Sequence, residues 1–109
     1  MHPNESIASP KRAVIDHATS GDNEIVAAVT GKSIRVIQMF FVVASAVTVR
    51  FESGAGGTAL TGQMQFAANS GASTGESRLG HFQTAAGAAL NMELSSAVSV
   101  DGWINYQEV

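Results

Sequence analysis

Apolar and polar residues alternate without a break along Val47-Thr48-Val49-Arg50-Phe51-Glu52. The same period of two returns at Leu90-Asn91-Met92-Glu93-Leu94 and from Val98 to Tyr106. That period sends successive side chains to opposite faces, so each segment reads as a strand with one face in a core and the other in water. Turn chemistry divides the chain into about eight strands. They are expected at Arg12 to His17, Glu24 to Val29, Ser33 to Ala44, Val47 to Glu52, Leu60 to Phe66 with a bulge or bend at Gly62, Arg78 to Gln83, Ala88 to Leu94, and Val98 to Val109. Ala68 to Ser77, small and polar, is expected to be an exposed loop. The third strand turns continuously apolar through Met39-Phe40-Phe41-Val42-Val43, the pattern of a strand covered on both faces. Asp101-Gly102 is a hairpin dipeptide, but the even parity of Val98, Val100, Gly102, Ile104 and Tyr106 continues through it, which favours one strand with a glycine bend. Short strands at regular spacing with no helical period predict an all-β fold: a single antiparallel β-sandwich of jelly-roll type with the third and last strands near its centre.

Composition sharpens this picture in three ways. The 109 residues suffice for one core, and residues 12–109 are read as that one domain. Residues 1–11, with Pro3 and Pro10, read as an irregular N-terminal arm able to lie along a neighbouring subunit. Only 14% of residues are charged while 45% are hydrophobic, against a usual charged share of roughly a quarter. A surface that repels its own copies so weakly suits life in an assembly. The net charge of −3 and six scattered basic residues leave no clustered patch for nucleic acid. With no cysteine there is no disulfide and no thiolate chemistry. The start Met-His-Pro-Asn-Glu lacks a basic-then-apolar secretory pattern, and Ile37 to Val49 is too short and too interrupted for a membrane helix.

Catalytic or ligand-binding chemistry is sparse. Gly54-Ala55-Gly56-Gly57 follows a strand as a phosphate loop does, but Thr58-Ala59-Leu60-Thr61 leads into another strand where such a loop needs a helix N-terminus. His17, His81 and Glu76 share no ligand spacing, so no metal or cofactor is expected. No Gly-x-Ser-x-Gly elbow accompanies the serines, and Asn4-Glu5-Ser6 is a glycosylation triplet without a secretory context. No enzymatic activity is expected. Trp103 shares the odd parity of Ser99, Asp101, Asn105 and Gln107 and should project from the polar face of the last strand. A protein interface is the first reading of that placement, packing beneath a loop the second, and sugar stacking with Asp101 and Asn105 the third.

The run Val29-Thr30-Gly31-Lys32-Ser33-Ile34-Arg35-Val36, the blocks Leu60-Thr61-Gly62 and Ala67-Ala68-Asn69, the segment Thr84 to Met92, and the ending Gly102-Trp103-Ile104-Asn105-Tyr106-Gln107-Glu108-Val109 resemble small virion-associated proteins of tailed phages. The resemblance spans about Ile25 to Val109 and consists of turn and strand signatures. It implies a jelly-roll-like module, often trimeric, that decorates or cements a capsid. The expected function is therefore a structural virion protein on the capsid surface, made in the host cytoplasm, whose partners are the major capsid protein and copies of itself as a homotrimer. A tail or fibre component and a carbohydrate-binding module are the alternatives. The candidate interface residues are Ile7, Lys11, Arg12, Phe40, Phe41 and Trp103.

Overall fold

The structure, a computed structural model, describes residues 9–109. Most of the expected arm, Ile7 included, lies outside the described residues. Among the described residues ten strands follow in order: β1 Lys11–His17, β2 Gly21–Val26, β3 Ile34–Val43, β4 Val47–Ser53, β5 Thr58–Ala59, β6 Met64–Phe66, β7 Ser70–Ser73, β8 Phe82–Gln83, β9 Leu90–Leu94 and β10 Val100–Glu108. All pairings are antiparallel. Sheet I has the order β1-β10-β3, with β7 and β8 both pairing the far edge of β3; sheet II has the order β2-β9-β4, with β5 and β6 on the far edge of β4. The first strand thus pairs with the last and the second with the ninth, the nested wrap of a jelly roll. The long third strand and the last strand are the central pair of sheet I, as the sequence predicts.

Alternation builds the core. Val47, Val49 and Phe51 of β4 and Leu90, Met92 and Leu94 of β9 meet Ile34, Val36, Met39, Phe41 and Val43 of β3, with Ile15, Val100 and Ile104 from the neighbouring strands. Phe41 crosses from sheet I to stand edge-on to Phe51 of sheet II, ring centroids 6.0 Å apart, and to Phe66 at 5.3 Å; Phe82 packs on Phe51 at 5.0 Å. A bulge where consecutive residues Asn105 and Tyr106 pair with Gln38 and Val36 leaves Ile37 as the extra residue of β3.

Several strand boundaries differ from expectation; the sixth expected strand, Arg78 to Gln83, is confined to Phe82–Gln83, and the second ends at Val26 where Val29 is expected. The second strand begins at Gly21, because Asn23 occupies an inward position and hides the alternation. Its Nδ2 donates to the carbonyls of Thr19 at 2.8 Å and Gly21 at 3.2 Å, which lets a polar side chain be buried. The fifth expected strand is two short ones, β5 and β6. The expected loop from Ala68 to Ser77 contains β7, which pairs Ser70, Gly71, Ala72 and Ser73 with Val43, Val42, Phe41 and Phe40. Side chains this small carry no hydropathy period, yet the edge of β3 must find hydrogen-bond partners. Asp101-Gly102 is the expected interior of one strand. Gly102 is required there by contact, since a Cβ on it would lie 2.0 Å from the Phe40 carbonyl oxygen.

Beyond the paired strands, hydroxyl side chains complete the ladders. The Ile34 N–H donates to Thr84 Oγ1 at 2.9 Å while the Thr84 N–H donates to the Ile34 carbonyl at 3.0 Å. Thr74 treats Met39 in the same way, and Ser95 treats Thr48. One residue thereby serves as donor and acceptor for an edge that no strand covers.

Two substitutions test this arrangement. Thr84→Val keeps the shape but strands the Ile34 N–H beneath a buried side chain, and should cost about 1–3 kcal/mol in urea unfolding. Gly102→Ala must push β10 off β3 and should cost more than Thr84→Val. Equal, near-zero losses would contradict the close approach.

Candidate functional site

The outer faces of the two sheets differ in chemistry. On sheet I the outward positions form three rows across the strands. Asp16, Asp101, Val42 and Gly71 make the first, Val14, Trp103, Phe40 and Ser73 the second, and Arg12, Asn105 and Gln38 the third. The middle row is apolar and open: Val14 is 69% exposed, Phe40 40%, and Val42 beside it 43%. Trp103 projects outward as its parity predicts and packs on Phe40 with ring centroids 6.2 Å apart. The Arg12 guanidinium stands 4.5 Å from the Trp103 ring centroid, within cation–π reach. Arg12 Nε also donates to Asn105 Oδ1 at 2.9 Å, and Asn105 Nδ2 donates to Gln38 Oε1 at 3.1 Å. Side chains that are held by neighbours before any partner arrives lose little entropy on docking.

The expected interface residues therefore separate. Arg12, Phe40 and Trp103 share this face. Lys11 begins β1 and pairs with Glu108 at 3.2 Å. Phe41 is a correction: it is fully buried between the sheets and offers no surface, because alternation on β3 sends it inward once Phe40 points out. For the same reason the run Met39 to Val43 is covered on one side only, the outward Phe40 and Val42 remaining partly exposed.

Sheet II presents carboxylates. Glu93 of β9 lies between Asp22 of β2 and Arg50 of β4, and Asn91 lies between Glu24 and Glu52. One oxygen from each of Asp22, Glu52 and Glu93 falls within 4.8 Å of the others. Arg50 bridges Glu52 and Glu93, the latter at 2.9 Å. Glu52 is fully buried although its parity predicts a wet face. The loop Gly54-Ala55-Gly56-Gly57 accounts for part of this. The Gly54 N–H donates to the Ala89 carbonyl at 2.8 Å, and the Asn91 carboxamide accepts from the Ala55 N–H at 3.0 Å. The glycines considered for phosphate thus fold back over their own sheet. Burial raises the pKa of Glu52, the adjacent Asp22 carboxylate raises it further, and Arg50 opposes both. These carboxylates come from three strands far apart in the chain, so no spacing motif could announce them. His17 and His81 are not part of this cluster; His81 Nε2 is instead 2.8 Å from the Gly75 carbonyl oxygen.

Comparison of the chain with protein-family models, curated proteins and solved structures finds no match.

The contact of Glu52 with Asp22 sets an expectation for one substitution. Glu52→Gln retains an acceptor for Arg50 and supplies an amide donor to Asp22, so in buffer free of divalent cations it should raise the melting temperature by a few degrees, on the order of 1 kcal/mol. A clear loss of stability would mean that the two carboxylates do not oppose each other.

Proposed function

We propose that this chain is a structural assembly protein that docks through the outer face of sheet I, and that the first occupant of that face is a second copy of itself. The observation that carries the reading is the order of the three rows. An open apolar row of Val14, Trp103 and Phe40 runs between a basic side at Arg12 and an acidic side at Asp16 and Asp101. Asp16 and Asp101 are paired across strands, and like charges directly opposite each other are unfavourable unless a cation meets them. Rotating a second copy by half a turn about an axis along the middle row lays Val14, Trp103 and Phe40 on their own counterparts. It also brings Arg12 of each copy over the acidic pair of the other. A half-turn about an axis parallel to the strands would set acid on acid. The face is therefore self-complementary about one two-fold axis and repulsive about the other.

At the level of the organism, the reading is a capsid decoration or cement protein of a tailed phage, bound to the major capsid protein on the virion surface. The residue resemblance, the jelly-roll wrap and the low charge support it. Modest contacts repeated by the symmetry of a shell would hold it there by avidity. The resemblance implies trimers, whereas the row order supports two-fold pairs. Sugar stacking on Trp103 loses its support, because Arg12 sits over the ring and Asn105 is engaged at both ends of its amide.

Sedimentation of the purified chain at micromolar concentration should show a dimer. Trp103→Ala, which removes little core packing, should weaken association by about 2 kcal/mol while leaving the melting temperature nearly unchanged. Binding to purified phage heads, measured on the same variant, should fall in parallel. A wild-type chain that stays monomeric and leaves heads bare would overturn the reading.

A further inference from the structure

The outer face of sheet II carries more negative charge than its one cation neutralises. Three carboxylates, Asp22, Glu52 and Glu93, meet one guanidinium, Arg50, so two negative charges are left over. Exposed acidic groups often stand together without consequence, and their proximity would mean little here but for Glu52. Its side chain is fully buried, and of its two oxygens only Oε2 has a partner, the Arg50 guanidinium. Among the described residues, Oε1 is buried with no hydrogen-bond donor. A buried carboxylate oxygen without a donor costs several times a made hydrogen bond, and no amide or hydroxyl of the described residues is aimed at it.

We propose that Asp22, Glu52 and Glu93 bind a calcium ion, with Arg50, one terminal nitrogen of which pairs with both Glu52 and Glu93, holding those two side chains in place. Calcium takes oxygen ligands at about 2.3–2.6 Å, so two ligands on opposite sides of the ion stand about 4.6–5.2 Å apart. One oxygen from each of the three residues already falls within 4.8 Å of the others, which is compatible with that span. Magnesium demands a near-octahedral arrangement at about 2.1 Å and gives up its waters reluctantly, which makes it the poorer match for three carboxylates on one open sheet face. Two charges on the ion match the two left over. Asp22 is exposed, which gives the ion a way in and leaves room for the waters that complete its coordination. With three carboxylates, one of them shared with Arg50, the affinity belongs to the weak class, Kd on the order of 0.1–1 mM. The three ligand strands β2, β9 and β4 are neighbours in one sheet, so the ion would pin the edge strand β2 to the centre of sheet II.

The test uses the full chain, stripped with EDTA and exchanged into metal-free buffer. Adding calcium chloride to about 10 mM should raise the melting temperature by about 5 °C or more, and calorimetric titration should show one site per chain. Magnesium chloride at the same concentration should do much less. Asp22→Asn should weaken calcium binding by at least about tenfold, while the stripped protein, relieved of the carboxylate pair at Glu52, should melt no lower than the unsubstituted chain. Glu52→Gln should remove the calcium response altogether. No heat and no melting shift with calcium would overturn the proposal and leave a proton shared between Glu52 and Asp22 as the occupant. A calcium response that survives both substitutions would overturn it equally, by placing the ion elsewhere.

Discussion

The position of Phe41 governs the rest of this molecule. Its ring is the bridge between the sheets, edge-on to Phe51 and Phe66 in the centre of the sandwich, and it is fully buried. A strand alternates, so fixing Phe41 inward fixes Phe40 and Val42 outward. A chain selected only to fold would place polar residues at those two positions, as β4 does with Thr48 and Arg50. Here the outward positions remain aromatic and aliphatic, and the neighbouring strand adds Trp103 in register with Phe40. Coincidence of large apolar residues on adjacent strands at solvent positions is what an interface requires, and the fold gains from it only the modest contribution of a cross-strand pair.

The two faces also divide the work of holding β10 and β3 together. Gly102 brings the strands closer than any side chain would allow, while Trp103, one position later, packs on Phe40 on the outside. Close approach within the sheet and aromatic contact outside it are thus set by consecutive residues. The ladder edges, where such a sheet is open to unwanted pairing, are filled by Thr74, Thr84 and Ser95, each using a hydroxyl where a strand would use a carbonyl. Those stretches are thereby closed to further strand pairing, while the outer face of sheet I stays open.

Much of the fold is legible in the residues, for a definite reason. Val47 to Glu52 and Leu90 to Leu94 alternate because one face is buried, and the parity of Trp103 follows from the same rule. The places where the pattern misleads are those where burial is achieved by something other than apolar character. Asn23 is buried because carbonyls surround its amide. Glu52 is buried although it sits on an outward position, with the glycine loop folding back beside it at Asn91. Strand β7 is invisible because Ser, Gly and Ala pair flush against β3 without a hydrophobic contribution. Phe41 was misread by composition alone: in the run Met39 to Val43 every residue is apolar, and only the partner strands decide which of them meets the core. The carboxylate cluster has no linear signature, since sheet order alone brings its members together.

The central claim is that the outer face of sheet I pairs with its own copy about an axis along the middle row. The chain contains no cysteine, so a single one placed at Val14 reports on that geometry directly. On the axis, Val14 of one copy meets Val14 of the other. Val14→Cys should therefore form a disulfide-linked dimer under mild oxidation, while Leu79→Cys, 90% exposed and outside the middle row, should remain single. A Val14→Cys chain that oxidises no faster than the Leu79→Cys control would contradict the account.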